Sequence, residues 1–217
     1  MVEIVLNVLS AIGVVAFSVA GALVAIDHRV DMFGVVTLAA ITSFGGGLTR
    51  DLLMGKLPPT LFTDRFYLVL AGVSVLTALV VFTVARVFQQ KFVEREKLID
   101  RITNIFDAVA IGVFATTGAK TVMDFTGTPE NAFLVLTLGS LTAVGGSIIR
   151  DVLICEVPFV LKKRIYVLAV LAGAGLYYLL VRLGTAEIPA LVAGTLLTFG
   201  LRMMATVFRW NLPRALP

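Results

Sequence analysis

The sequence predicts an all-α integral membrane protein, and three observations predict it. Of its 217 residues, 59% are hydrophobic and only 15% charged, with a mean hydropathy of +0.99, whereas an ordinary soluble domain is about a quarter charged. Apolar runs approaching the roughly 20 residues needed to cross a bilayer recur along the chain, separated by short clusters of charge, proline and glycine. The third observation is a duplication. Thr42-Ser43-Phe44-Gly45-Gly46-Gly47-Leu48-Thr49-Arg50-Asp51 returns one hundred positions later as Thr142-Ala143-Val144-Gly145-Gly146-Ser147-Ile148-Ile149-Arg150-Asp151, and Val35–Pro58 matches Val135–Pro158 with ten identities in 24.

Taken in order, the apolar runs predict seven transmembrane helices, near 4–26, 33–54, 66–88, 104–123, 131–154, 165–183 and 188–206. Met1-Val2-Glu3 lacks the positive region of a secretory signal, so the first run reads as the first span. Phe17 to Ala22 resembles Phe114 to Ala119, and Arg65-Phe66-Tyr67 resembles Arg164-Ile165-Tyr166, so each copy of the duplication holds three spans. An odd number of spans per copy makes the two copies inverted repeats about a pseudo-twofold axis in the membrane plane. The divisions are residues 1–88 for the first three-helix repeat, 89–103 for a charged cytoplasmic linker, 104–184 for the second repeat, and 185–217 for a seventh helix and tail.

With the N-terminus outside, the inner loops hold Arg29, Arg86, Lys91, Arg95, Lys97, Arg101, Lys162, Lys163, Arg164, Arg202, Arg209 and Arg214. The outer loops hold only Lys56, Arg65 and Arg182. A bias of twelve to three favours this orientation, with the C-terminus cytoplasmic. Topology therefore accounts for the net charge of +4 without nucleic acid, although the inner loops also suit anionic lipid headgroups. One cysteine, Cys155, and one histidine, His28, exclude an intramolecular disulfide and leave no metal cluster. His28 reads as a loop residue. No nucleophile–base pair or paired-carboxylate constellation emerges, so no enzyme is expected.

The candidate site lies in the duplicated motif. Glycine in a helix interior costs about 1 kcal/mol against alanine, and here two runs, Gly45-Gly46-Gly47 and Gly145-Gly146-Ser147, sit at matching places in spans two and five. Close packing explains isolated glycines. Two runs duplicated beside Arg-Asp point instead to kinked helices lining a pathway, since loosened backbone at membrane depth must be buried in protein or face water. The runs are not phosphate loops, because no strand precedes them and Leu57 stands where a hydroxyl residue is required.

Arg50, Asp51, Arg150 and Asp151 are costly inside apolar helices and must face protein or water. Because neighbours at i and i+1 do not face each other on a helix, crossed pairs are expected, Arg50 with Asp151 and Arg150 with Asp51. These charges either line a pathway or hold the repeats in register. Lys120, whose first-repeat counterpart is Leu23, either snorkels to the interface or serves as a pore or gating residue. Ser18, Thr42, Thr116, Thr117, Thr137 and Thr142 are candidate pore-lining hydroxyls, each weak alone because Ser and Thr often bond their own helix.

Two Gly-Gly-(Gly/Ser)-x-x-Arg-Asp motifs, each followed by proline in a duplicated three-helix unit with a seventh helix, resemble the prokaryotic trimeric intracellular cation (TRIC) channel family over nearly the whole chain. Bacterial sequences of this pattern are also grouped as glycine transporters. The resemblance implies a homotrimer with one pore per protomer, lined by spans one, two, four and five and conducting monovalent cations, chiefly potassium, without a cofactor. It also implies kinks at Gly45–Gly47 and Gly145–Gly146, with Lys120, Arg50 and Arg150 near the constriction; Ser147 departs from the triple glycine and implies a stiffer second kink. A secondary transporter of a small solute such as glycine is the alternative. Three basic residues beside a cation path conflict with bare Coulomb repulsion, unless Asp51 and Asp151 neutralise the arginines and carbonyls freed at the glycines coordinate the ion.

Overall fold

The computed structural model describes residues 1–88, 96–127, 131–162, 165–208 and 210. Gln89 to Arg95, Lys163, Arg164, Arg209 and Arg214, which the sequence places in the linker, an inner loop and the tail, lie outside the described residues. The described elements are helical: α1 (Val2–Asp27), α2 (Met32–Leu53), α3 (Thr60–Thr63), α4 (Arg65–Val87), α5 (Glu96–Thr126), α6 (Ala132–Leu153), α7 (Phe159–Lys162), α8 (Tyr166–Arg182) and α9 (Glu187–Val207). By length and composition α1, α2, α4, α6 and α9 can each cross a membrane, and α8 is a shorter apolar helix. The long helices coincide with the apolar runs to within a few residues. The exception is α5, which begins at Glu96, so that the end of the expected linker is helical.

Local chemistry sets the boundaries. Asp31 Oδ1 accepts from the Gly34 amide at 2.7 Å to start α2, and Asn131 Oδ1 accepts from the Leu134 amide at 3.0 Å to start α6, each satisfying a first-turn donor that has no helical partner. Both helices end alike. Lys56 N donates to Asp51 O and Glu156 N to Asp151 O, each at 2.9 Å. The preceding residues, Gly55 and Cys155, take positive φ of 72° and 58°, as this helix-terminating turn requires.

In the packing, α1, α2, α5 and α6 form the centre: α2 lies against α1 and α6, and α5 against α1 and α6. Helix α4 covers α1 and α2, while α8 and α9 cover α5. Much of α4 stays uncovered, with Leu68, Val69, Leu76, Val80, Val84 and Val87 exposed, an apolar face suited to lipid.

The glycine runs do not break their helices. Both α2 and α6 continue as helix through them, and what the glycines contribute there is an absent side chain. A Cβ built on Gly46 would strike the Thr142 carbonyl, and one on Gly146 the Thr42 carbonyl. A Cβ on Gly45 would come within 3.1 Å of Gly146 Cα, and one on Gly145 within 3.0 Å of Gly46 Cα. Small residues let helices approach backbone to backbone. The threonines continue the contact sideways, because a Cβ on Gly21 of α1 would meet Thr42 and one on Gly118 of α5 would meet Thr142.

Gly46→Ala and Gly146→Ala should therefore each lower thermal stability in detergent by about 1–3 kcal/mol through overpacking. Gly72→Ala, where an added Cβ meets nothing within 4 Å, should be neutral or stabilising by up to about 1 kcal/mol.

Candidate functional site

Two cavities open toward opposite ends of α5. The larger, about 230 Å³, is lined by the start of α5 from Ile99 to Asp107, the end of α1 and the end of α6, including Arg150 and Asp151. The smaller, about 40 Å³, is lined by Phe114, Thr117 and Thr121 of α5 and by Ser43 to Asp51 of α2. Between them Phe17 of α1 and Phe114 of α5 stack with centroids 5.4 Å apart and an interplanar angle of 15°, next to the α2–α6 glycine crossing.

Each cavity has an Arg-Asp pair in its wall, and both pairs are buried. The crossed pairing is not observed. Arg50 Nε and Nη2 donate to Asp51 Oδ1 at 2.9 and 2.7 Å, and Arg150 Nε and Nη2 donate to Asp151 Oδ1 at 2.9 and 2.6 Å. The second carboxylate oxygen is also occupied. Asp51 Oδ2 accepts from Thr60 N at 2.8 Å, and Asp151 Oδ2 from Phe159 N at 2.7 Å. Crossed pairs fail because Arg50 and Asp151 belong to cavities at opposite ends of α5. The i,i+1 rule concerns Cβ directions, whereas an arginine stem is long enough to curl its guanidinium back to the adjacent carboxylate. In each motif the aspartate thus ties the arginine to the amide that begins the next short helix, α3 or α7.

Lys120 lines neither cavity. Its Nζ donates to Asp124 Oδ2 at 2.9 Å and pairs with Glu187 at the start of α9, and its side chain is only 12% exposed. The candidate hydroxyls divide. Thr117 and Thr142 line the smaller cavity. Ser18 instead joins three helices, bonding Ser43 at 2.9 Å and Ser74 at 2.8 Å; Thr116 bonds Thr195 of α9 at 2.9 Å; Thr42 bonds the Leu38 carbonyl and packs at the crossing. Thr137 is exposed on the outer surface. Gly47 reaches the smaller cavity, and Ser147 is buried.

Sequence reasoning missed a further buried ion pair. Asp107, in the wall of the larger cavity, lies 3.7 Å from the Arg202 guanidinium of α9, and its Oδ1 accepts from the Tyr166 hydroxyl at 3.0 Å. The guanidinium stacks 4.5 Å from the centroid of the Tyr166 ring, a favourable placement for a cation. Arg202 is therefore buried, not the inner-loop cation of the topology count. Asp107 was legible by the argument applied to Arg50, since it is a charge inside an apolar run.

The fold and its buried, compensated charges define a helical integral membrane protein with recesses toward both ends of α5. The sequence model described as "Glycine transporter" matches residues 7–86 and 104–182. Relatives include a UPF0126 membrane protein of Deinococcus radiodurans, 39% identical over 81% of this chain and 76% of that protein, and the UPF0126 inner membrane protein YadS of Escherichia coli K12, 32% identical over 94% and 92%. Among solved structures, a prokaryotic TRIC channel crystallised in 0.5 M KCl superposes with a TM-score of 0.84 at 33% identity over 97% of this chain and 100% of that one. The TRIC orthologue from Rhodobacter sphaeroides gives 0.79 at 33% over 95% and 99%. The chain belongs to the TRIC family, the group that the glycine-transporter model also describes.

The pairing within each repeat makes a specific prediction. Asp51→Asn should cost about 3–5 kcal/mol, because it leaves a buried guanidinium uncompensated. Adding Arg50→Gln should recover part of that loss, whereas Arg150→Gln should not; thermal melts of the purified variants distinguish the two.

Proposed function

We propose that this protein is a cation channel with potassium as the permeant ion and one path within each protomer of a homotrimer. The path joins the two cavities past Phe17 and Phe114, where α1, α2, α5 and α6 converge. One observation carries the reading: among the described residues, each basic side chain at this centre faces a carboxylate. Arg50 faces Asp51, Arg150 faces Asp151, Arg202 faces Asp107, and Lys120 faces Asp124 and Glu187. The Coulomb conflict raised by three basic residues beside a cation path is thereby relieved. Likeness along nearly the whole chain to proteins described as TRIC cation channels supports the same reading.

The seven long helices span the inner membrane as two inverted repeats, residues 1–88 and 104–184, joined by the cytoplasmic segment 89–103 and followed by residues 185–217. Removing buried Arg202 from the twelve inner basic residues leaves eleven against three, so the N-terminus stays outside. Arg50 and Arg150 hold the end of each motif helix, and no enzymatic step is assigned. A second reading, a secondary transporter of glycine, is favoured by the description of the matching family model.

Liposomes carrying the purified protein should pass potassium at a rate that rises without saturation and exceeds that of empty liposomes, with no accumulation of labelled glycine. Saturable glycine uptake driven by an ion gradient, with no potassium leak, would replace the channel by the transporter.

A further inference from the structure

Helix α9 has no partner in the duplication, yet it is docked on α5 by residues that α1 lacks. With Phe17 matched to Phe114, the α5 residues Lys120, Thr116 and Asp107 stand where α1 has Leu23, Val19 and Ser10. Each of the three meets α9: Lys120 pairs with Glu187, Thr116 bonds Thr195 at 2.9 Å, and Asp107 faces Arg202 at 3.7 Å. Between them Gly112 lies so close to α9 that a Cβ would come within 2.9 Å of the Thr195 carbonyl. The polar residues that distinguish α5 from its repeat counterpart are thus matched, one by one along its length, to the helix outside the repeat.

The Lys120 end of this ladder lies beside the candidate path. Thr117 and Thr121, which flank Lys120 in sequence, line the smaller cavity, while the Lys120 ammonium is turned to α9. Of its two partners, Asp124 is 62% exposed and Glu187 31%. An ion pair with an exposed partner on the same helix is weak, so Glu187 is the stronger restraint. Lysine carries a hydrated point charge on a flexible stem. Released from α9, that charge would be free to swing toward the mouth of the smaller cavity, which Thr117 and Thr121 line, and there it would repel cations.

We propose that Glu187 is a positioning residue that holds the Lys120 ammonium against α9 and away from the mouth of the smaller cavity, so that the last helix governs the charge a permeating cation meets there. The proposal rests on the channel reading, and two measurements separate the two.

The first is independent of flux. Lys120 in detergent-purified protein is acylated with a water-soluble succinimidyl ester and followed by peptide mass. Labelling should be at least about threefold faster in Glu187→Gln than in the wild type, and Glu187→Asp should restore slow labelling. Unchanged labelling in Glu187→Gln would overturn the proposal, whatever the protein conducts.

The second is potassium flux in liposomes. Glu187→Gln should reduce it about threefold or more, and the loss should vanish when Lys120→Met is added. An equal loss in the Lys120→Met background would show that Glu187 acts through packing, and would overturn the proposal. A wild type that labels as expected but passes no potassium would instead overturn the channel reading.

Discussion

The backbone-to-backbone crossing of α2 and α6 is the constraint on which the rest of the structure depends. Gly46 on one helix and Gly146 on the other leave no room for a Cβ, because the carbonyls of Thr142 and Thr42 occupy those places, and Gly45 and Gly145 leave only a tight fit. Because α2 and α6 meet so closely, α1 and α5 are drawn to their flanks, where Gly21 and Gly118 receive the same two threonines. The space that a thicker crossing would fill at one point is left as recesses on either side of it. The smaller cavity lies where the four central helices diverge from this contact, and the larger lies among α1, α5 and α6.

That geometry determines how charge is carried. Each motif helix ends in Arg-Asp at the floor of a recess, and the aspartate uses one oxygen for its arginine and the other for the amide that begins the next short helix. An unpaired guanidinium there would be costly; a pair whose acceptors are all occupied is tolerable, and it folds the following segment back over the helix end. Pro59 and Pro158 precede these short helices, and proline suits the position because its missing amide would have no helical partner there. The larger recess also holds Asp107 of the second repeat, paired with Arg202 of α9, so the two recesses differ in chemistry although the motifs that build them are nearly the same.

The long helices were legible in the sequence because an apolar run of spanning length is a local property, and the duplication was legible because Gly-Gly and Arg-Asp recur at fixed spacing. The four-residue helices α3 and α7 were not, since four residues show no period. Glycine was the ambiguous letter: the same run can loosen a helix or let it touch another, and only the position of Thr42 and Thr142 on the opposing helix distinguishes the two. The direction of the Arg-Asp pairs depended on the reach of an arginine stem, which spacing rules for Cβ atoms do not describe. Partners distant in sequence, such as Glu187 for Lys120, left no signal, and Arg202 passed for a loop cation because it stands near a helix end. Of the candidate hydroxyls, Thr117 and Thr142 reach a cavity, while Ser18 and Thr116 serve helix packing, a distinction set by which neighbour each helix face meets.

The central claim is that the two recesses are the two halves of one path through inverted repeats. Cysteine accessibility in liposomes tests it most directly, using Thr121→Cys for the smaller cavity and Thr103→Cys for the larger, each in a Cys155→Ser background. A charged, impermeant thiol reagent should modify Thr121→Cys only from the outside and Thr103→Cys only from the inside, and each modification should lower potassium flux. Modification of both from the same side, or complete modification that leaves flux unchanged, would contradict the account.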